Sequence, residues 1–101
     1  MKVWFKRTGG FAAISITVTL DTEMLPKVEG ERLSGLIATA SFFLQPNLFK
    51  SLVPGIDRFH YELKVEEAGR VKTIEMDESA VPDLIRPLLD YLIEMARAKR
   101  K

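Results

Sequence analysis

The sequence predicts an α+β fold: a four-stranded antiparallel sheet with two helices on one face, in the order β-β-α-β-β-α. Three observations predict it. Two stretches alternate apolar and polar residues with the period of two that a half-buried strand needs: Ile14, Ile16, Val18, Leu20 and Phe59, Tyr61, Leu63, Val65. Two others carry apolar residues at helical spacing: Leu33, Leu36, Ile37, Ala40, and Val81, Leu84, Ile85, Leu88, Leu89, Leu92, Ile93, Ala96. Glycine-bearing connections separate the strands of each pair, at Gly9-Gly10 and at Glu67-Ala68-Gly69-Arg70. The chain has 101 residues and reads as one domain, 1–101, able to bury a single core without staples.

Residues 1–6 form the first expected strand, with Val3 and Phe5 on one face and Lys2, Trp4 and Lys6 on the other. Paired glycines accept φ > 0, so Gly9 and Gly10 are expected to turn this strand into the next, 12–20. Asp21 and Thr22 offer caps, and Pro26 suits a first helical turn. Gly30 lies on the apolar stripe of that helix, which means either close approach to the sheet or a late helix start.

Residues 42–57 make a long connection in which Pro46, Pro54 and Gly55 argue against regular structure. It is too apolar for a solvated loop. It is expected to pack over the core edge, with Pro54-Gly55 as a turn. A strand over residues 59–65 and its partner over 71–77 follow, the latter turning Ile74 and Met76 to the core. Ser79 is placed to cap the last helix, Pro82 fits its first turn, and Asp83 complements the dipole. Pro87 either kinks this helix or separates a short turn from a longer helix that begins near it. Arg97, Lys99, Arg100 and Lys101 complement the helix C-terminus. The sheet face away from the helices would carry Trp4, Ser15, Thr17, Thr19, His60, Glu62 and Lys64.

Composition narrows the function. A net charge of +1 gives no basis for nucleic-acid binding, which calls for a strongly basic face. The longest nearly uncharged run, residues 9–20, is interrupted by Gly10, Ser15, Thr17 and Thr19, so no membrane span and no secretory leader is expected. A cytoplasmic protein is the expectation. Zero cysteines exclude thiol chemistry, and one histidine without a His-Glu-x-x-His pattern argues against zinc. No serine sits in a Gly-x-Ser-x-Gly elbow. No catalytic residue, metal ligand or cofactor is assigned, and the expected protein is not an enzyme. His60 could act as a base or ligand, but no carboxylate cluster is placed by spacing to orient it.

Three segments together resemble the emfourin family, protein inhibitors associated with the thermolysin-like zinc metalloprotease protealysin. They are Arg7-Thr8-Gly9-Gly10-Phe11-Ala12; Asp57-Arg58-Phe59-His60-Tyr61-Glu62-Leu63; and Val81-Pro82 with Arg86-Pro87-Leu88-Leu89. The first is the most specific. Ala13 stands where the family pattern has glycine. The resemblance implies a non-covalent inhibitor of a thermolysin-like metalloprotease, acting inside the cell by occluding the cleft or by locking the enzyme's domains. It makes Arg7, Thr8, Gly9, Gly10, Phe11 and Ala12 the candidate contact. Phe11 either stands out for the partner or folds back over its own hairpin. The alternative function is a non-catalytic interaction module, using the open sheet face or an edge strand. A monomer or weak homodimer fits both.

Overall fold

The computed structural model describes residues 1–10, 15–53 and 58–99. Strands β1 (Lys2–Gly9), β2 (Ile16–Asp21), β4 (Phe59–Glu67) and β5 (Arg70–Asp77) are joined by a two-residue β3 (Leu48–Phe49), in the spatial order β2-β1-β4-β5-β3. Helices α1 (Lys27–Thr39) and α2 (Arg86–Lys99) complete the architecture. Phe11, Ala12, Ala13, Ile14, the expected Pro54-Gly55 turn, Asp57, Arg100 and Lys101 lie outside the described residues.

Alternation dictates the strand faces. Val3 and Phe5 of β1, Ile16, Val18 and Leu20 of β2, Tyr61, Leu63 and Val65 of β4, and Ile74 and Met76 of β5 are all buried. Together they meet Leu33 and Ile37 of α1 and Leu88, Leu89, Leu92 and Ala96 of α2 in one core. Both helices therefore cover the same face. Ala68 (φ +51°) and Gly69 (φ +80°) close the β4–β5 hairpin as a two-residue turn, with Glu67 paired to Arg70.

The sheet has five strands and is mixed, not four and antiparallel. β3 runs parallel to β5, with Leu48 opposite Glu75 and Phe49 opposite Met76, and the Glu75 N–H donates to the Asn47 carbonyl. Two residues are too few to show a period, so nothing in the composition of 42–57 marks a strand. Among the described residues only part of that connection packs over the core edge: Phe42, Phe43 and Phe49 do, whereas Leu44, Leu48, Leu52 and Val53 are exposed. Ser41 (φ +50°) ends α1, and a short 3₁₀ turn, Phe42–Leu44, sets the Phe42 ring in the core at 1% exposure. Lys72 of β5 donates to the carbonyls of Phe43 and Gln45, and the Arg70 guanidinium lies 4.2 Å from the Phe43 ring centroid.

Several helix-boundary expectations change. Asp21 and Thr22 shape the turn before α1 instead of capping it. Asp21 Oδ1 accepts the Glu23 N–H, and the Thr22 N–H donates to the Met1 carbonyl. Pro26 stands just outside α1, and a Cβ on Gly30 would lie 2.8 Å from the Thr22 carbonyl oxygen, so the close approach is to this turn. Ser79 does not cap α2. It belongs to a 3₁₀ turn, Glu78–Ala80, and its hydroxyl donates to that of Ser51. Pro87 is the second residue of α2, where its missing N–H removes no helical bond. A separate turn over Pro82 precedes it. Leu84 in that turn is left 54% exposed, off the stripe. Across the helices, the Tyr91 hydroxyl donates to Glu29 (2.8 Å); burial and that carboxylate push the phenol up to about 12.

Candidate protein-contact site

The end of β1 is built against the start of β4. Thr8 pairs with His60 and Gly9 with Phe59, and the Gly10 N–H donates to the Arg58 carbonyl. Gly9 (φ +94°) and Gly10 (φ +85°) both lie in the left-handed region that favours glycine. A Cβ on Gly9 would stand 2.3 Å from the Arg58 carbonyl oxygen, and one on Gly10 would stand 2.6 Å from Cε1 of the Phe59 ring. Gly9 is thus required by its positive φ and by close backbone approach, and Gly10 by its positive φ beside the Phe59 ring. They are not the two-residue bend of a tight hairpin. Among the described residues the β1–β2 register runs to Arg7 opposite Ile16, which puts Gly9 and Gly10 away from the midpoint of the β1–β2 connection.

The candidate residues divide between the sheet faces. Arg7 shares the parity of Val3 and Phe5 and lies on the helix-covered side. Its guanidinium is stacked 4.3 Å from the Phe59 ring centroid. With Tyr61, Asp90, Ile93, Glu94 and Arg97 it lines a polar cavity of about 500 Å³ beneath α2. Its Nε is shielded from solvent without a hydrogen-bond partner among the described residues. Thr8 is on the opposite face, opposite His60. Gly9 and Gly10 stay together at the strand end, while Phe11 and Ala12 lie outside the described residues.

Sequence reasoning missed the carboxylates around His60. The Nδ1 atom lies 3.1 Å from Asp77 Oδ1, and Nε2 lies 3.2 Å from Glu75 Oε1. A signal for this existed. A two-residue turn at Ala68 and Gly69 forces His60 opposite Asp77, with Glu75 on the diagonal of the same face. Burial disfavours the imidazolium, but the hydrogen bonds and charges of Asp77 and Glu75 outweigh it, so the His60 pKa is held above 6.5. Asp77 is held below 3.8, first by the Ser51 N–H and then by His60.

These shifts set a pH dependence. The raised His60 pKa contributes stability below 6.5 that is lost as pH rises through the folded-state value. The lowered Asp77 pKa contributes stability above 3.8 that is lost as pH falls through its folded-state value. Stability should therefore be greatest between these limits. His60→Gln should flatten the alkaline side in urea melts at several pH values. With the imidazole 40% exposed, solvent screening limits the change to roughly 0.5 kcal/mol. An unchanged alkaline limb in the variant would remove His60 as its cause.

Asp77 also anchors the connection that follows β3. Its Oδ2 accepts the Ser51 N–H (2.8 Å), while the Ser51 hydroxyl donates to the Val53 carbonyl and accepts the Val53 N–H. One oxygen of Glu78 accepts the N–H groups of Arg58 and Phe59 (3.2 and 3.1 Å). At this end of the sheet the bond from the Gly10 N–H to the Arg58 carbonyl ties the residue after β1 to the residue before β4.

A family model described as Emfourin matches residues 5–93, from within β1 to within α2. The chain belongs to the emfourin family. No curated protein and no solved structure matches it. Membership of the emfourin family implies a protease-inhibitor role. Among the described residues no group of three or more His, Asp or Glu side chains could hold a metal ion, and no helix is long and apolar enough to cross a membrane. Among the described residues the face away from the helices is mainly polar, with Trp4, Leu48 and Val71 as its apolar side chains. There the Lys64 ammonium sits 4.8 Å from the Trp4 ring centroid, over a shallow depression of about 390 Å³ shared with Thr17, Thr19, Glu62 and Thr73.

Proposed function

We propose that this emfourin-family protein is a non-covalent inhibitor of a thermolysin-like zinc metalloprotease, acting in the cytoplasm by occluding the cleft or locking the enzyme's domains. Arg7, Thr8, Gly9, Gly10, Phe11 and Ala12 supply the contact. The observation that carries this reading is the seating of Gly9 and Gly10 on Arg58 and Phe59. It roots the family's most specific segment on a rigid strand end, and a pre-organised contact loses little entropy on binding. About 1,600 Å² of total buried area would be ordinary for such a complex. Inhibition then needs no reactive group on the inhibitor.

Titrating a thermolysin-like protease with the purified protein, and following cleavage of a peptide substrate, tests the reading. Activity should fall linearly to an equivalence point. Phe11→Ala should weaken inhibition about tenfold or more, as truncating a central aromatic anchor does. Its melting temperature should stay close to the parent's. Full protease activity at micromolar protein would sink the proposal. Full inhibition by Phe11→Ala would remove the assigned contact while leaving the inhibitor reading in place.

A further inference from the structure

The connection after β3 ends in an apolar pair that the fold holds out to solvent. Leu52 is 97% exposed and Val53 is 52% exposed. A single exposed leucine needs no explanation. What distinguishes this pair is its anchoring. Ser51, just before it, is fixed through its N–H to Asp77 and through its hydroxyl to Val53 and Ser79. Asp77 is itself held by His60.

We propose that Leu52 and Val53 form a second contact with the protease, beside the one made by residues 7–12. The assignment rests on the inhibitor reading above and deepens it. An enzyme cleft with an apolar side-chain pocket would dehydrate both side chains. The pair also stands at the correct end of the molecule: Ser51 is bonded to Asp77, Asp77 lies opposite His60 on β4, and His60 lies opposite Thr8 on β1.

The test compares inhibition constants of the full chain, Leu52→Asp, Leu52→Ala and Leu44→Asp against one thermolysin-like protease, with melting temperature and size-exclusion mass for each. Leu44 is 86% exposed, in the Phe42–Leu44 turn, and serves as a control for adding a charge elsewhere. Leu52→Asp should weaken inhibition by about 30-fold or more and Leu52→Ala by about tenfold, in the range of centrally buried anchors. Leu44→Asp should inhibit as the parent does, and all four should melt alike. If the parent inhibits and Leu52→Asp inhibits equally well, the second contact is wrong and the inhibitor reading stands. Equal weakening by Leu44→Asp would also overturn it. So would a parent dimer that Leu52→Asp converts to a fully inhibitory monomer, which would make a second copy the occupant. A parent that leaves the protease fully active overturns the inhibitor reading and this assignment with it.

Discussion

Gly9→Ala should cost about 3 kcal/mol or more, enough to lower the melting temperature of a domain this size by roughly 12 °C or more. Two effects add. The residue sits at φ +94°, where a Cβ costs about 1–2 kcal/mol. The added methyl would also lie 2.3 Å from the Arg58 carbonyl oxygen, a backbone atom of the neighbouring strand. Neither partner can rotate away. β1 and β4 would have to part at this end, which removes the bond from the Gly10 N–H to the same carbonyl. Gly10→Ala meets the edge of the Phe59 ring instead, and a ring can tilt, so its cost should be smaller. Urea denaturation of the two variants measures both. A Gly9→Ala protein as stable as the parent would show that this strand end is looser than described.

Phe42→Ala should cost about 3–5 kcal/mol, the usual range for emptying a buried aromatic site. The ring is 1% exposed and packs edge-on against Phe43, with centroids 5.6 Å apart at 85°. Residues around it are held by main-chain carbonyls accepting from Lys72, so the segment cannot simply collapse into the cavity. The same change should loosen β3, because the chain from Phe42 leads directly to it. Hydrogen exchange at the Glu75 amide, bonded to the Asn47 carbonyl, reports that loss separately from global stability. Undiminished protection at Glu75 at matched global stability would mean that β3 is held independently of Phe42.

The elements with a full period were legible in the sequence. Ile16, Val18 and Leu20 alternate cleanly, as do Tyr61, Leu63 and Val65, and each set is buried on the helix side. Ile85, Leu88, Leu89, Leu92 and Ala96 read equally well as a helical stripe, and Pro87 marked where α2 begins. β3 was not legible, because a two-residue strand has no pattern. Gly9 and Gly10 signal a left-handed backbone, but nothing local says whether a turn or a neighbouring carbonyl demands it. The site was legible only in part. Arg7 could have been assigned to the helix side from its parity with Val3 and Phe5. The grouping of His60 with Asp77 and Glu75 follows from the Ala68-Gly69 turn once its length is taken as two. The tie from Asp77 to Ser51 spans 26 residues and depends on where β3 pairs, so no local pattern could have placed it.

The account's central claim is that the protease meets the end of the sheet where Gly10 is bonded to Arg58. Amide chemical-shift mapping of the labelled protein with an inactivated thermolysin-like protease tests it most directly. The largest perturbations should fall on Thr8, Gly9, Gly10, Ser51, Leu52 and Arg58. Perturbations confined to Trp4, Thr17, Glu62 and Lys64 on the open sheet face would contradict it.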